Sequence, residues 1–223
     1  MLYSFDKKFD ELPDSIPLFP LNKVLLLPRA KLPLNLFENR YLHMFDYALK
    51  KGRYIGMIQP NEELKKDKGP NSPSLYNIGC AGFITAFSQT NDNRYEIILE
   101  GVSRFKIRKE LDLMNGFRIA EVDWNKFRLD FKIEKLDIKS KREEFLKILR
   151  PFLEKMSMNV DWEMIEGTSD EDLINTISMC CPFDLNEKQA LLEALSLDDR
   201  REVLTSLIHM NLNKNNMGSR YVS

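Results

Sequence analysis

Between Ile16 and Tyr41 the chain reads IPLFPLNKVLLLPRAKLPLNLFENRY, a string of short apolar runs cut by Pro17, Pro20, Pro28 and Pro33. Proline fixes its own φ and offers no backbone N–H, so this spacing forbids a helix interior and any long central strand. What remains is short strands, sheet edges and tight corners, predicted at Ile16 to Leu21, Val24 to Leu27 and Leu32 to Phe37.

The strand pattern continues to about residue 125, with one interruption. In Glu38 to Lys51, Tyr41, Met44, Phe45, Ala48 and Leu49 recur at helical spacing before Gly52 closes the run. Strands are predicted at Tyr54 to Gln59 and Ile78 to Ser88, separated by the polar loop Asn61 to Ser74, read as the mobile element of this half. Thr90-Asn91-Asp92-Asn93 predicts a hairpin joining Phe83–Gln89 to Tyr95–Leu99, and Phe105 to Leu111 and Phe117 to Trp124 complete the set. Short strands in this number predict a closed or half-closed barrel, which removes exposed edges.

From Lys139 the period becomes helical. Ser140-x-x-Glu143 has a capping-box pattern ahead of the stripe Phe145, Ile148, Leu149, Phe152, Leu153 and Met156, with Pro151 expected to kink or split that helix. Ser169-x-x-Asp172, Asn186-x-x-Gln189 and Ser196-x-x-Asp199 predict three further helix starts, the first of those helices stopping by Pro182 and the second carrying Leu191, Leu192 and Leu195. The expected organisation is α+β: a β-rich barrel subdomain with one helix over residues 1–129, a helical bundle over 130–211 opening on the connector Asp130 to Ile138, and a flexible tail over 212–223.

With 33 Lys+Arg against 34 Asp+Glu in 223 residues, the net charge of -1 gives no electrostatic case for nucleic acid or an anionic membrane. Cys80, Cys180 and Cys181 form neither a CxxC pair nor a disulfide framework, and the adjacent two read as buried thiols. No secretory signal opens the chain, and its longest uninterrupted run, Val24 to Leu27, is far short of the ~20 residues of a membrane helix. The expectation is a cytoplasmic protein.

Several stretches taken together resemble the N-terminal, substrate-binding domain of Lon-type ATP-dependent proteases. They are the strand Val24-Leu25-Leu26-Leu27-Pro28, the Leu32-Pro33-Leu34 strand and the helix start Phe37-Glu38-Asn39-Arg40-Tyr41, followed by Gly56-Met57-Ile58, Ile78 to Ile84, and Glu100-Gly101-Val102-Ser103-Arg104-Phe105, similar to the family's Gly-x-x-Arg-Phe hairpin corner. Lys188-Gln189, Leu192-Glu193 and Arg200-Arg201 look like its closing helices. Arg29 stands where the family pattern prefers glycine, so the turn there is expected to differ. The resemblance covers Ile16 to Met210 and implies a pseudo-barrel of PUA-like type joined to a helical bundle, engaging unfolded polypeptides.

No GxxxxGK[ST] loop is present to hold a nucleotide, so neither ATP hydrolysis nor a cofactor is expected, and the family's separate Ser-Lys protease domain has no counterpart in the sequence. Ser103 lacks the second glycine of a nucleophile elbow, and His43 and His209 lack metal-ligand spacing, so no catalytic or metal site is predicted. Leu25, Leu27, Leu34, Leu36 and Phe37 are the candidates for peptide contact, against the alternative that they face the core; Glu38, Arg40, Tyr41, Gly101, Arg104 and Phe105 are read as structural. The aromatics Tyr3, Phe5, Phe9 and Phe19 suggest a tether against the barrel. The expected function is a non-catalytic module binding unfolded or hydrophobic polypeptide, working with a separate ATP-dependent protease or chaperone. A nucleic-acid-binding barrel is the alternative, but the chain's basic residues are interspersed with acids.

Overall fold

A computed structural model describes residues 8–61, 73–92, 94–132 and 139–213. The readings made for Tyr3, Phe5, the interior of the 61–74 loop, the connector from residue 133 to 138 and the tail from residue 214 lie outside the described residues. Contacts divide the chain into two compact units, Met1–Ile133 and Glu134–Ser223.

The first unit holds the strands β1 (Ser15–Pro20), β2 (Lys31–Leu36), β3 (Tyr54–Ile58), β4 (Ile78–Gln89), β5 (Tyr95–Glu110) and β6 (Arg118–Asp123), with helix α1 (Asn39–Lys50) between β2 and β3. Their order is β2-β5-β4-β3-β1-β6, and β6 pairs again with β5, so five strands close into a barrel and β2 stays outside the ring. Closure depends on the length of β5. Its first residues pair antiparallel with β2, Lys31 opposite Glu100 to Leu36 opposite Tyr95, and its last residues take β6 on that same edge, Lys106 opposite Asp123 to Glu110 opposite Ala120. The barrel interior is filled by Ile16, Leu18, Ile58, Ala81, Phe105, Ala120, Val122 and Trp124, each large aliphatic or aromatic side chain contributing about 1.5–3 kcal/mol by leaving water. Helix α1 buries Tyr41, Met44, Phe45 and Ala48 and packs on β1 and β3.

Two expectations fail here for connected reasons. Val24 to Leu27 is not a strand, although Leu25, Leu26 and Leu27 are buried. Glu100 to Phe105 is not a hairpin corner but the middle of continuous β5, where a register shift leaves Val102 without a partner on β4. Gly82 of β4 and Gly101 of β5 lie opposite each other there and form a bare seat. A Cβ on Gly82 would meet Leu26 at 2.8 Å, and one on Gly101 would meet the Leu27 carbonyl oxygen at 2.0 Å. The apolar run lies across the sheet on that seat instead of joining it. The glycine-poor turn at Arg29 is likewise not avoided: Arg29 takes φ +65°, held by its N–H donating to the Gly101 carbonyl at 2.7 Å and by its guanidinium donating to the Asp130 carbonyl.

The second unit contains α2 (Lys139–Lys155), α3 (Trp162–Gly167), α4 (Asp170–Cys180), α5 (Leu185–Glu193) and α6 (Leu197–Asn213), with α6 touching α2, α4 and α5. Ser169 caps α4 by accepting from the Asp172 N–H at 3.1 Å, and Ser196 and Asp199 exchange reciprocal bonds at the start of α6. The α5 start lies two residues before the predicted one: the capping box is Asp184 with Glu187, not Asn186 with Gln189. Ser140 falls inside α2 instead of capping it, and α2 runs through Pro151 without splitting. Pro151 and Lys147, whose carbonyl Pro151 cannot serve, are both exposed, while Phe145, Leu149, Phe152 and Leu153 are buried and hold the helix together. Leu195 lies beyond α5 and is exposed, and Leu212 and Asn213, read as tail, are still helical. Helix α3, absent from the sequence reading, starts on Asp161, whose carboxylate accepts from the Glu163 and Met164 N–H groups.

Candidate functional site

The strand left outside the barrel defines the site. Gly101 donates to the Ala30 carbonyl at 2.9 Å; continuing that alternation, Leu32, Leu34 and Leu36 bond to β5 and the backbone groups of Lys31, Pro33 and Asn35 point along the open edge. Pro33 has no N–H to offer there, which blunts the edge without closing it. On the adjoining sheet face, register aligns Pro33, Ile98 and Ala86 in one row and Asn35, Glu96 and Ser88 in the next. All six are exposed and line a groove of about 540 Å³ together with Leu34, Ile97 and Phe87. Ile98 is 37% exposed, Phe87 48% and Phe37, just beyond β2, 61%.

The opposite sheet face is anchored by Phe87 and Tyr95 against Phe45 of α1, with ring centroids 5.3 and 4.6 Å apart. A bulge between Ile84 and Ala86 shifts the register where the groove begins, and the Thr85 hydroxyl donates to the Ile98 carbonyl at 3.2 Å.

The predicted contact residues separate cleanly. Leu25, Leu27 and Leu36 are buried in the core, Leu34 is half-buried at the groove, and Phe37 projects with the Arg94 guanidinium 5.7 Å from its ring centroid. Alternation puts Leu36 inside, and the Gly82–Gly101 seat does the same for the run before Pro28. Ile98, Pro33 and Ala86 were missed; the only signal was the outward parity of a strand whose register the sequence does not give.

Of the residues read as structural, Arg104 and Phe105 are fully interior. The Arg104 guanidinium meets the Asp130 carboxylate at 2.6 Å and lies over the Phe127 ring at 4.4 Å. Asp130, read from sequence as the start of a connector, sits in a short 3-10 helix, Asn125–Phe131, packed on β5. Glu38 and Arg40 pair at 2.8 Å on the surface, and Tyr41 is buried, its ring 4.3 Å from that of Phe19. Burial is the main influence raising the Tyr41 phenol above its ordinary value, while the nearby Arg40 charge pulls the other way.

Lys188 and Arg200, noted only as family-like, are buried cations closing helix ends. The Lys188 ammonium donates to the Met179 carbonyl of α4 at 2.7 Å, and Arg200 Nε donates to the Leu191 carbonyl of α5 at 3.0 Å. Desolvation lowers the Lys188 pKa and, acting first, pushes the buried Cys181 thiol up to about 12. Cys180 is exposed, so the adjacent thiols are not both buried. Ser103 is buried, its hydroxyl donating to the Arg104 carbonyl. Among the described residues no group of three His, Cys, Asp or Glu could hold a metal ion.

A family model described as the ATP-dependent protease La (LON) substrate-binding domain matches residues 15–210. This chain belongs to that family. The Lon protease of Syntrophus aciditrophicus is 22% identical across 98% of this chain, and that of Buchnera aphidicola subsp. Acyrthosiphon pisum is 25% identical across 87%. The chain spans about a quarter of the length of these Lon proteases, 28% and 25% respectively. A Lon N-terminal domain protein from Xanthomonas campestris aligns over 86% of this chain and 97% of its own, with a TM-score of 0.60 at 22% identity. The N-terminal domain of a Mycobacterium avium complex Lon protease aligns over 87% and 98%, with a TM-score of 0.60 at 17% identity. The LON-domain fold is therefore the α+β arrangement of barrel and helices, and the matched segment is a substrate-binding one, with no ATPase or protease segment matched. Among the described residues, no helix of this LON domain is long and apolar enough to cross a membrane.

Proposed function

We propose that this LON domain is a non-catalytic polypeptide-recognition module that binds extended, hydrophobic segments of unfolded protein on the β2–β5–β4 face. The observation carrying the reading is the exposed row Pro33–Ile98–Ala86 beside β2, which lies outside the closed ring. An extended segment laid along β2 gains backbone bonds at Lys31 and Asn35 and rests apolar side chains on Ile98, with Phe37 and Phe87 at the margins. The missing N–H at Pro33 keeps that pairing short, as suits a module that must release what it binds. A net charge of -1 argues for apolar, not electrostatic, capture. The partners that fit are non-native polypeptides, with a separate ATP-dependent protease or chaperone acting on what is bound, in the reducing cytoplasm that a chain with three cysteines and no CxxC pair suits.

The test is fluorescence anisotropy of the full chain with a labelled, permanently unfolded polypeptide and with a labelled single-stranded RNA, each at low and physiological salt. The expected result is polypeptide binding that survives salt and weakens about tenfold in Ile98→Asp and Phe37→Ser, a loss of about 1.4 kcal/mol, with unchanged unfolding midpoints. Binding of RNA alone, with the steep salt loss of counterion release, would overturn the reading.

A further inference from the structure

A second cleft of about 350 Å³ in the barrel unit lies at the start of α1, and none of its lining residues lines the groove beside β2. One wall is the connection from β5 to β6, whose tip Met114-Asn115-Gly116-Phe117 is a two-residue turn: Asn115 and Gly116 take φ +49° and +84°, and Met114 and Phe117 exchange backbone bonds at 3.0 Å. Asn-Gly is the sequence such a turn demands. A Cβ on Gly116 would come within 3.3 Å of Arg40 Cβ, so the turn stands close against the first residues of α1.

Two guanidinium groups line the cleft and both are fixed from behind. Arg118, with only 10% of its side chain exposed, meets Glu110 at 3.3 Å and donates to the Pro73 carbonyl at 2.7 Å. Arg40 pairs with Glu38 through Nε and Nη2 and lies 4.6 Å over the Tyr41 ring. The Arg40–Glu38 pair has more than 40% of each side chain in solvent, so it contributes little to stability; its effect is to hold the guanidinium still at the rim. Both arginine charges act on the same Tyr41 phenol, that of Arg40 more strongly than that of Arg118. None of the described residues lining the cleft is acidic; Leu113, Phe117 and Pro20 supply apolar surface beside the neutral polar side chain of Asn22. Leu113 is 61% exposed.

Fixed cations beside apolar side chains, at the small end of the ligand-pocket range (about 300–1,000 Å³), suit an anion with an apolar group beside it. We infer that this cleft captures the free C-terminus of a polypeptide whose last side chain is apolar, the carboxylate on Arg40 and Tyr41 with Arg118 behind, and the side chain against Leu113 and Phe117. The inference rests on the polypeptide-recognition reading and adds a terminal anchor to it.

The experiment titrates the full chain into labelled short peptides of one sequence ending in leucine, as free acid and as C-terminal amide. The free acid is expected to bind about tenfold more tightly, charge-assisted bonds being about twice as strong as neutral ones. The ratio falls to about one in Arg40→Gln, whose exposed side chain leaves the unfolding midpoint in place, and persists in Ile98→Asp. Equal binding of acid and amide overturns the terminal anchor while leaving the β2 groove standing. Binding of neither peptide, together with no binding of the unfolded polypeptide, overturns both. Octanoate competing as tightly as the free-acid peptide would assign the cleft to small amphipathic carboxylates and overturn the polypeptide source.

Discussion

Arg104 is gripped by Asp130 on two sides at once. One carboxylate oxygen accepts from the side chain at 2.6 Å, and the other accepts from the Arg104 backbone N–H at 2.8 Å. Both side chains are at least 95% buried, at 2% and 5% exposure. A pair this deep is costly to break from one end, because the surviving charge stays buried without its partner.

Asp130→Ala is therefore expected to destabilise the barrel unit by about 3–5 kcal/mol. Urea unfolding followed by Trp124 fluorescence, in a Trp162→Phe background, measures it. The double variant Arg104→Met, Asp130→Leu is expected to regain most of the loss, since an apolar replacement leaves no orphan charge. A double variant as unstable as Asp130→Ala would mean the damage is to packing of the 3-10 helix and not to charge.

The seat for Leu27 predicts opposite behaviour at two glycines. Gly101→Ala drives a Cβ to 2.0 Å from a backbone oxygen that no side-chain rotation can move, costing about 2 kcal/mol or more. Gly167→Ala meets nothing within 4 Å and stays within about 0.5 kcal/mol of the parent. Chemical denaturation of the two single variants decides between them.

Alkylation separates the thiols. Cys180 is exposed, whereas Cys80 is buried and Cys181 is both buried and held protonated by a pKa of about 12. Mass spectrometry after brief iodoacetamide treatment at neutral pH is expected to find one label per native chain, on Cys180, and three after denaturation. Labelling of Cys181 at the Cys180 rate would contradict its burial beside Lys188.

Acid should act on the helical unit through Asp198. The hydrogen bond from Lys141, at 2.6 Å, is the largest influence lowering its carboxyl below the ordinary 3.8, with Arg201 adding to it. A depressed carboxyl stabilises fully above its unfolded pKa and loses that contribution as pH falls from about 3.8 through the lower folded value. Because both partners are about a third exposed, the loss at neutral pH in Asp198→Asn is only about 0.5–1 kcal/mol. That difference from the parent is expected to shrink toward zero as pH drops below the folded pKa, read from urea midpoints at neutral and acid pH.

Much of the architecture was legible because it depends on local chemistry. Prolines dictated short strands, helical spacing at Tyr41, Met44, Phe45 and Ala48 gave α1 its buried face, and Ser169 and Ser196 mark helix starts through side-chain caps that need only neighbouring residues. The misses share one cause. Val24 to Leu27 has strand composition but is diverted by the glycine pair Gly82–Gly101, brought together by register between distant strands. Asp184 takes the α5 cap from Asn186 because its carboxylate and Glu187 satisfy each other. Asp130 looks like a linker residue until Arg104, 26 positions earlier, is placed beside it.

The sequence by itself determined the α+β class and the family, because periodicity, proline spacing and capping are properties of contiguous residues. Only the tertiary structure decided which leucines serve the core and which surface is left exposed. It does so through β5, whose sixteen residues (Tyr95–Glu110) hold β2 and β6 on one edge. A side chain's exposure follows from register and closure, and those are fixed by pairings between segments the linear chain keeps far apart.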